Sequence, residues 1–105
     1  MPTDFADLGR FTDVSLLILL SLADGQKHGY AMIEDIGRFS GTVLEPGTLY
    51  GALMRLEKKG WIEPLAAEDR RHPYRLTSTG AAALREQLST LRRIVTTGVV
   101  RLALE

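Results

Sequence analysis

A chain of 105 residues, 45% of them hydrophobic, is enough for one domain with a buried core and too little for two. It has no cysteine, which excludes disulfides, thiolate metal sites and a cysteine nucleophile, and fits a reducing cytoplasm. Thirteen Lys/Arg balance thirteen Asp/Glu, yet the charge is segregated: residues 1–45 carry a net −4, while 46–80 and 81–105 carry +2 each.

The apolar run Val14 to Ala23 reads as a buried helix capped by Thr12 or Asp13. It is too short to span a bilayer, and Asp4, Asp7 and Asp13 outnumber Arg10 before it, the reverse of a secretory signal. Leu16, Leu17, Ile18, Leu19, Leu20 and Leu22 leave little polar face, so the helix must be covered on several sides. After the polar turn Gln26-Lys27-His28, a second helix is predicted from about Gly29 to Phe39, with Met32, Ile33, Ile36 and Phe39 at helical spacing and Ser40-Gly41 as its stop.

Pro46 suits the first position of a third helix, where its fixed φ helps and its missing N–H costs nothing. Leu49, Leu53 and Leu56 make the core stripe; at 100° per residue the opposite face shows Gly47, Thr48, Gly51, Met54, Arg55 and Lys58. Gly60 ends the helix. Trp61 to Leu65 and Tyr74 to Thr77 read as a short hairpin, with Pro64 and Pro73 limiting its pairing to an edge ribbon. Its tip carries Arg70, Arg71 and His72 behind Glu68 and Asp69, whose charge weakens the basic patch. Thr77 or Ser78 then caps a last helix from about Ala81 to Leu104, interrupted by Gly98.

A mainly α chain with one small β-hairpin, ordered helix, helix, helix, ribbon, is the arrangement of a winged helix-turn-helix. In that fold the third helix enters the major groove and the ribbon reaches flanking phosphates. The candidate DNA contacts are Thr48, Tyr50, Gly51, Arg55 and Lys58 on the helix and Arg70, Arg71 and His72 on the wing, with Lys27, His28 and Tyr30 as further backbone contacts. Two readings stay open for Tyr50, which either packs at the edge of the core stripe or reaches a phosphate. Two also stay open for Trp61: a core or hinge residue, or the wall of an effector pocket between helix and ribbon.

His28 and His72 are the only imidazoles and make no metal site. Glu34 and Asp35 are adjacent and point to different helix faces, and no nucleophile, base and orienter can be assembled, so no enzyme and no cofactor is expected. Leu84, Leu88, Leu91, Val95, Val99 and Leu102 form a near-heptad seam on the last helix, widened by Ile94, Val100 and Leu104. With Leu16, Leu19 and Leu20 of the first helix, that seam is the expected homodimer interface. The division is thus a DNA-binding unit at 1–80 and a dimerisation helix at 81–105.

At these residues the chain resembles the PadR family of bacterial transcriptional regulators. The matching pieces are His28-Gly29-Tyr30, Pro46-Gly47-Thr48-Leu49-Tyr50, Leu56-Glu57-Lys58-Lys59-Gly60-Trp61-Ile62, and Arg70-Arg71-His72-Pro73-Tyr74-Arg75-Leu76-Thr77 with Gly80. The resemblance implies a dimeric winged-helix protein, usually a repressor, that an effector releases from double-stranded DNA. It implies the short subfamily with a single C-terminal helix. That helix carries no aromatic residue, unlike short members that hold flat drugs between aromatic rings at the dimer centre. Gln26-Lys27 and Gly51 stand where the family often has proline. A protein-interaction module, or a ligand-binding dimer that regulates no gene, is the alternative.

Overall fold

The computed structural model describes residues 13–67 and 71–104, which form α1 (Val14–Leu22), α2 (Gly29–Ser40), α3 (Pro46–Lys58), β1 (Ile62–Pro64), β2 (Tyr74–Leu76) and α4 (Ser78–Ala103). Arg70, with Glu68 and Asp69, lies outside the described residues, as do Thr12 and the charges before it.

α1 starts at Asp13, whose carboxylate accepts the Ser15 amide at 2.8 Å and satisfies one of the amides a helix start leaves unpaired. Leu16, Leu17, Ile18, Leu19 and Leu22 are all buried, because α2, α3, α4 and β2 pack around this helix. Its one buried polar side chain, Ser21, donates to Asp35 of α2 at 2.7 Å, which offsets the desolvation of the hydroxyl. Lys27 closes the other end, its ammonium bonded to the Ser21 carbonyl and the Asp24 carboxylate. A cation there also suits the negative end of the helix dipole.

α2 turns Met32 and Ile36 inward and stops at Gly41, whose φ of +74° admits little but glycine or asparagine. α3 has Pro46 in its first turn and buries Leu49, Ala52, Leu53 and Leu56. Gly60, at φ +75°, then reverses the chain into β1.

The strands pair antiparallel, Ile62 opposite Leu76, Glu63 opposite Arg75 and Pro64 opposite Tyr74. A third partner joins them: Lys27 and Tyr74 exchange both backbone bonds, at 3.1 and 2.9 Å, so the α1–α2 turn is stitched to the root of the wing. β1, β2 and that bridge hold the wing at a set angle to α2 and α3.

α4 begins at Ser78, three residues ahead of the predicted start. Thr77 Oγ1 accepts the Gly80 amide at 3.0 Å and donates to the Gly60 carbonyl at 2.7 Å, tying helix start to wing start. The helix runs without a break through Gly98 for 26 residues, about 39 Å at the usual rise. Only its first turns join the core, through Gly80, Leu84 and the half-buried Leu91. Among the described residues no helix is long and apolar enough to cross a membrane.

Candidate nucleic-acid interface

α3 is anchored by its leucines, so its other face is displayed by default. Thr48, Met54, Arg55 and Lys58 are exposed and Gly51 is half-buried, all within about 60° of one line along the helix. An open hollow of about 410 Å³ runs along it, lined by Gly51, Met54, Arg55, Glu57 and Lys58. Arg55 and Lys58 also lie in the last turn of α3, where a cation complements the helix dipole.

A second cleft, about 270 Å³, opens where α2, α3 and the wing meet. It is lined by His28, Gly29 and Tyr30 of α2, Tyr50 of α3, and Arg71, His72 and Tyr74 of the wing. No side chain caps α2 at His28 and no acid sits in its first turn, so the positive end of the helix dipole beside the cleft is not neutralised from within the turn. A guanidinium, two imidazoles, three phenols and a bare helix start are what a phosphate oxygen would meet. Tyr50 packs on one side and is open on the other. Its ring lies against Gly29, where a Cβ would come within 2.8 Å of the hydroxyl, and its hydroxyl edges the cleft at half exposure.

The wing is braced below its tip. His72 Nδ1 donates to the Leu65 carbonyl at 3.1 Å, and the Leu65 amide donates to the Pro73 carbonyl at 2.8 Å. Arg71 is exposed beside them. Arg75 is instead paired with Glu63, the residue directly opposite in the ladder. Only the register, not the composition, marks that arginine as internally neutralised. Lys27 is likewise withdrawn from the set of backbone contacts, because its ammonium is held at the end of α1 and is mostly buried. Asp24 pays no cost for this: the Lys27 hydrogen bond and charge hold its carboxyl below the usual range. Tyr74 is displaced the other way. Burial, then the charges of Glu57 and Tyr50, raise its phenol above the ordinary value of 10.0.

The comparisons with known proteins bear on the family and the fold. The profile of the transcriptional regulator PadR-like family fits residues 18–86. The chain belongs to this family. A transcriptional regulator of Mycobacterium tuberculosis is 38% identical over 84 residues, covering 77% of this chain and 78% of that protein. An uncharacterized 37.1 kDa protein of transposon TN4556 from Streptomyces fradiae is 42% identical over 85 residues, 81% of this chain, which spans only 25% of that protein's length. The crystal structure of a PadR family transcription regulator from Clostridium difficile superposes with a TM-score of 0.74 at 27% identity, covering 80% of this chain and 92% of the other. PadR proteins are DNA-binding regulators, not enzymes, and commonly act as dimers.

In this PadR chain the apolar seam of α4 divides. Leu84 is buried in the chain's own core, while Leu88, Val95, Val99 and Leu102, with Ile94, Val100 and Leu104, stand in the open. Leu16 and Leu19 of α1 are spent on the core, at 4% and 0% exposure, and have no surface left to give a partner; Leu20 keeps part of its own. Trp61 is half-buried under the Lys59 ammonium, 4.6 Å from its ring centre. The hollow it lines, about 460 Å³, lies against the start of α1 and against α4, with Asp13, Leu16, Glu86, Gln87 and Leu91 among its walls, rather than between helix and ribbon.

Proposed function

We propose that this PadR protein is a homodimeric repressor that binds a pseudo-palindromic operator and leaves it when an effector binds. The observation that carries the reading is the convergence of the α3 face with the cleft between α2 and the wing. One surface supplies side chains for base edges, Thr48, Gly51, Arg55 and Lys58, and beside them a seat for phosphate made by His28, Tyr30, Tyr50, Arg71 and His72. Arg70, as the neighbour of Arg71 in sequence, belongs to the same proposed backbone contact.

The exposed half of the α4 seam supports the dimer. Leu88, Val95, Val99 and Leu102 recur along one helix face and are left exposed by the described residues, a pattern that a two-fold copy of the same face would complete. The pairing would set two α3 helices about 34 Å apart, one turn of DNA. The hollow beside Trp61 touches both the root of the wing and α4, so a small molecule held there would alter that separation. A change of a few ångströms is enough to favour a state that no longer fits the operator.

Selection of duplexes from a randomised pool by the purified protein tests the proposal. The expected product is an inverted repeat with half-site centres roughly 10 base pairs apart. An enriched sequence without two-fold symmetry would contradict the dimeric operator, and no enrichment at all would contradict specific DNA binding.

A further inference from the structure

The helical glycines divide between those that a neighbour crowds and those, Gly37, Gly47, Gly51 and Gly98, that no described residue crowds. Gly29 and Gly80 are pressed by neighbours, Tyr50 and the Trp61 backbone. Gly51 is not: a Cβ there would meet only the Arg55 guanidinium, at an ordinary 3.7 Å. Glycine is among the poorest residues for a helix interior, and nothing among the described residues asks for it at this position. Unlike Gly37 of α2 and Gly98 of α4, which are equally uncrowded, Gly51 lies on the displayed face of α3, where the missing side chain leaves room for whatever docks there.

One turn further along the same face stands Met54, 72% exposed and outside the core cluster. A lone exposed methionine is ordinary on a protein surface. Here it lines the α3 hollow together with Gly51, Arg55, Glu57 and Lys58, and is the one large apolar side chain among them. Base edges in the major groove offer hydrogen-bond donors, acceptors and one apolar group, the C5-methyl of thymine. A missing Cβ lets the helix backbone come close, and an unbranched, polarizable thioether is suited to cover a methyl without demanding one exact fit.

We propose that Gly51 and Met54 form a methyl-reading patch, and that each operator half-site presents a thymine to it. The inference rests on the proposed role of α3 as the reading helix and adds to it a specificity-determining residue, Met54. The thioether makes no hydrogen bond to the base, so the discrimination is between thymine and the same base without its methyl.

The test uses duplexes selected by the purified protein, remade with single thymines replaced by deoxyuridine, which removes the C5-methyl alone. They are titrated with the wild-type protein, Met54→Ala and Met54→Leu. At one thymine in each half-site, deoxyuridine is expected to weaken wild-type binding about fourfold, the equivalent of the ~0.8 kcal/mol for one buried carbon. Met54→Leu keeps the preference, and Met54→Ala binds both duplexes alike. Because Met54 is outside the core, both variants should melt like the wild type. If the wild type binds every deoxyuridine duplex as tightly as its parent, the methyl-reading assignment is wrong while DNA binding stands. If the preference survives in Met54→Ala, another side chain reads the methyl. If the unmodified duplex binds no better than a scrambled one, the DNA-binding reading fails and takes this inference with it.

Discussion

Gly80 is the residue on which the joint between wing and α4 turns. A Cβ at this position would lie 1.9 Å from the Trp61 carbonyl oxygen, an acceptor fixed in turn by the Thr77 amide at 3.0 Å. Backbone cannot yield as a side chain does, so Gly80→Ala is expected to destabilise the fold by about 1–3 kcal/mol, measured by urea unfolding. Tyr74 gives a pH signature. Its phenol is raised in the folded state, so its contribution to stability is full below the unfolded value of 10.0 and is lost as pH rises through the higher folded value. Tyr74→Phe should leave stability at neutral pH nearly unchanged and remove that part of the alkaline loss in melts above pH 10. Neither role was legible in the sequence, which marks Gly80 and Tyr74 only as members of a motif. A close approach of two backbones leaves no trace in composition, and Lys27 looks as available as any lysine until its partners at the end of α1 are seen.

At the scale of elements the sequence is far more informative. Asp13, Pro46 and Thr77 each mark a helix start by a local chemical need, and Gly41 and Gly60 mark reversals that need positive φ. The leucine spacing of α3 predicts its buried face and, by subtraction, its displayed one. The pairing of Lys27 with Tyr74 escapes such reading, because it joins distant segments through backbone atoms alone. Also hidden is the balance held at Gly51, where Cβ space is open and helix propensity is poor. Gly51→Ala is expected to raise stability by about 1 kcal/mol in thermal melts and, at the same time, to weaken binding to the selected operator. A variant that is more stable and binds equally well would show that α3 does not approach DNA at that turn.

The longest extent of the structure is 55 Å, and α4 carries its apolar seam well past the described residues that cover Leu84. The seam's existence follows from spacing, but its division does not. An all-apolar helix such as α1 says only that it will be buried, not by whose side chains, and its own chain proves sufficient for Leu16 and Leu19. The proposed dimer therefore depends on Leu88, Val95, Val99 and Leu102. Val95→Glu places a charge in the middle of that face without touching the monomer's core. Sedimentation should show a monomer with unchanged helix content, and operator affinity should fall because two half-sites are no longer read together.

The surface made by α3, the start of α2 and the wing is proposed to bind a specific DNA sequence. Titrating the protein onto its selected duplex and onto a scrambled one, at two salt concentrations, tests it most directly. The expected result is a preference of about a thousandfold or more, with affinity falling as salt rises, and a shallower salt dependence in Arg71→Ala as one phosphate contact per wing is lost. Equal binding to both duplexes, or a salt dependence indifferent to Arg71, would contradict it.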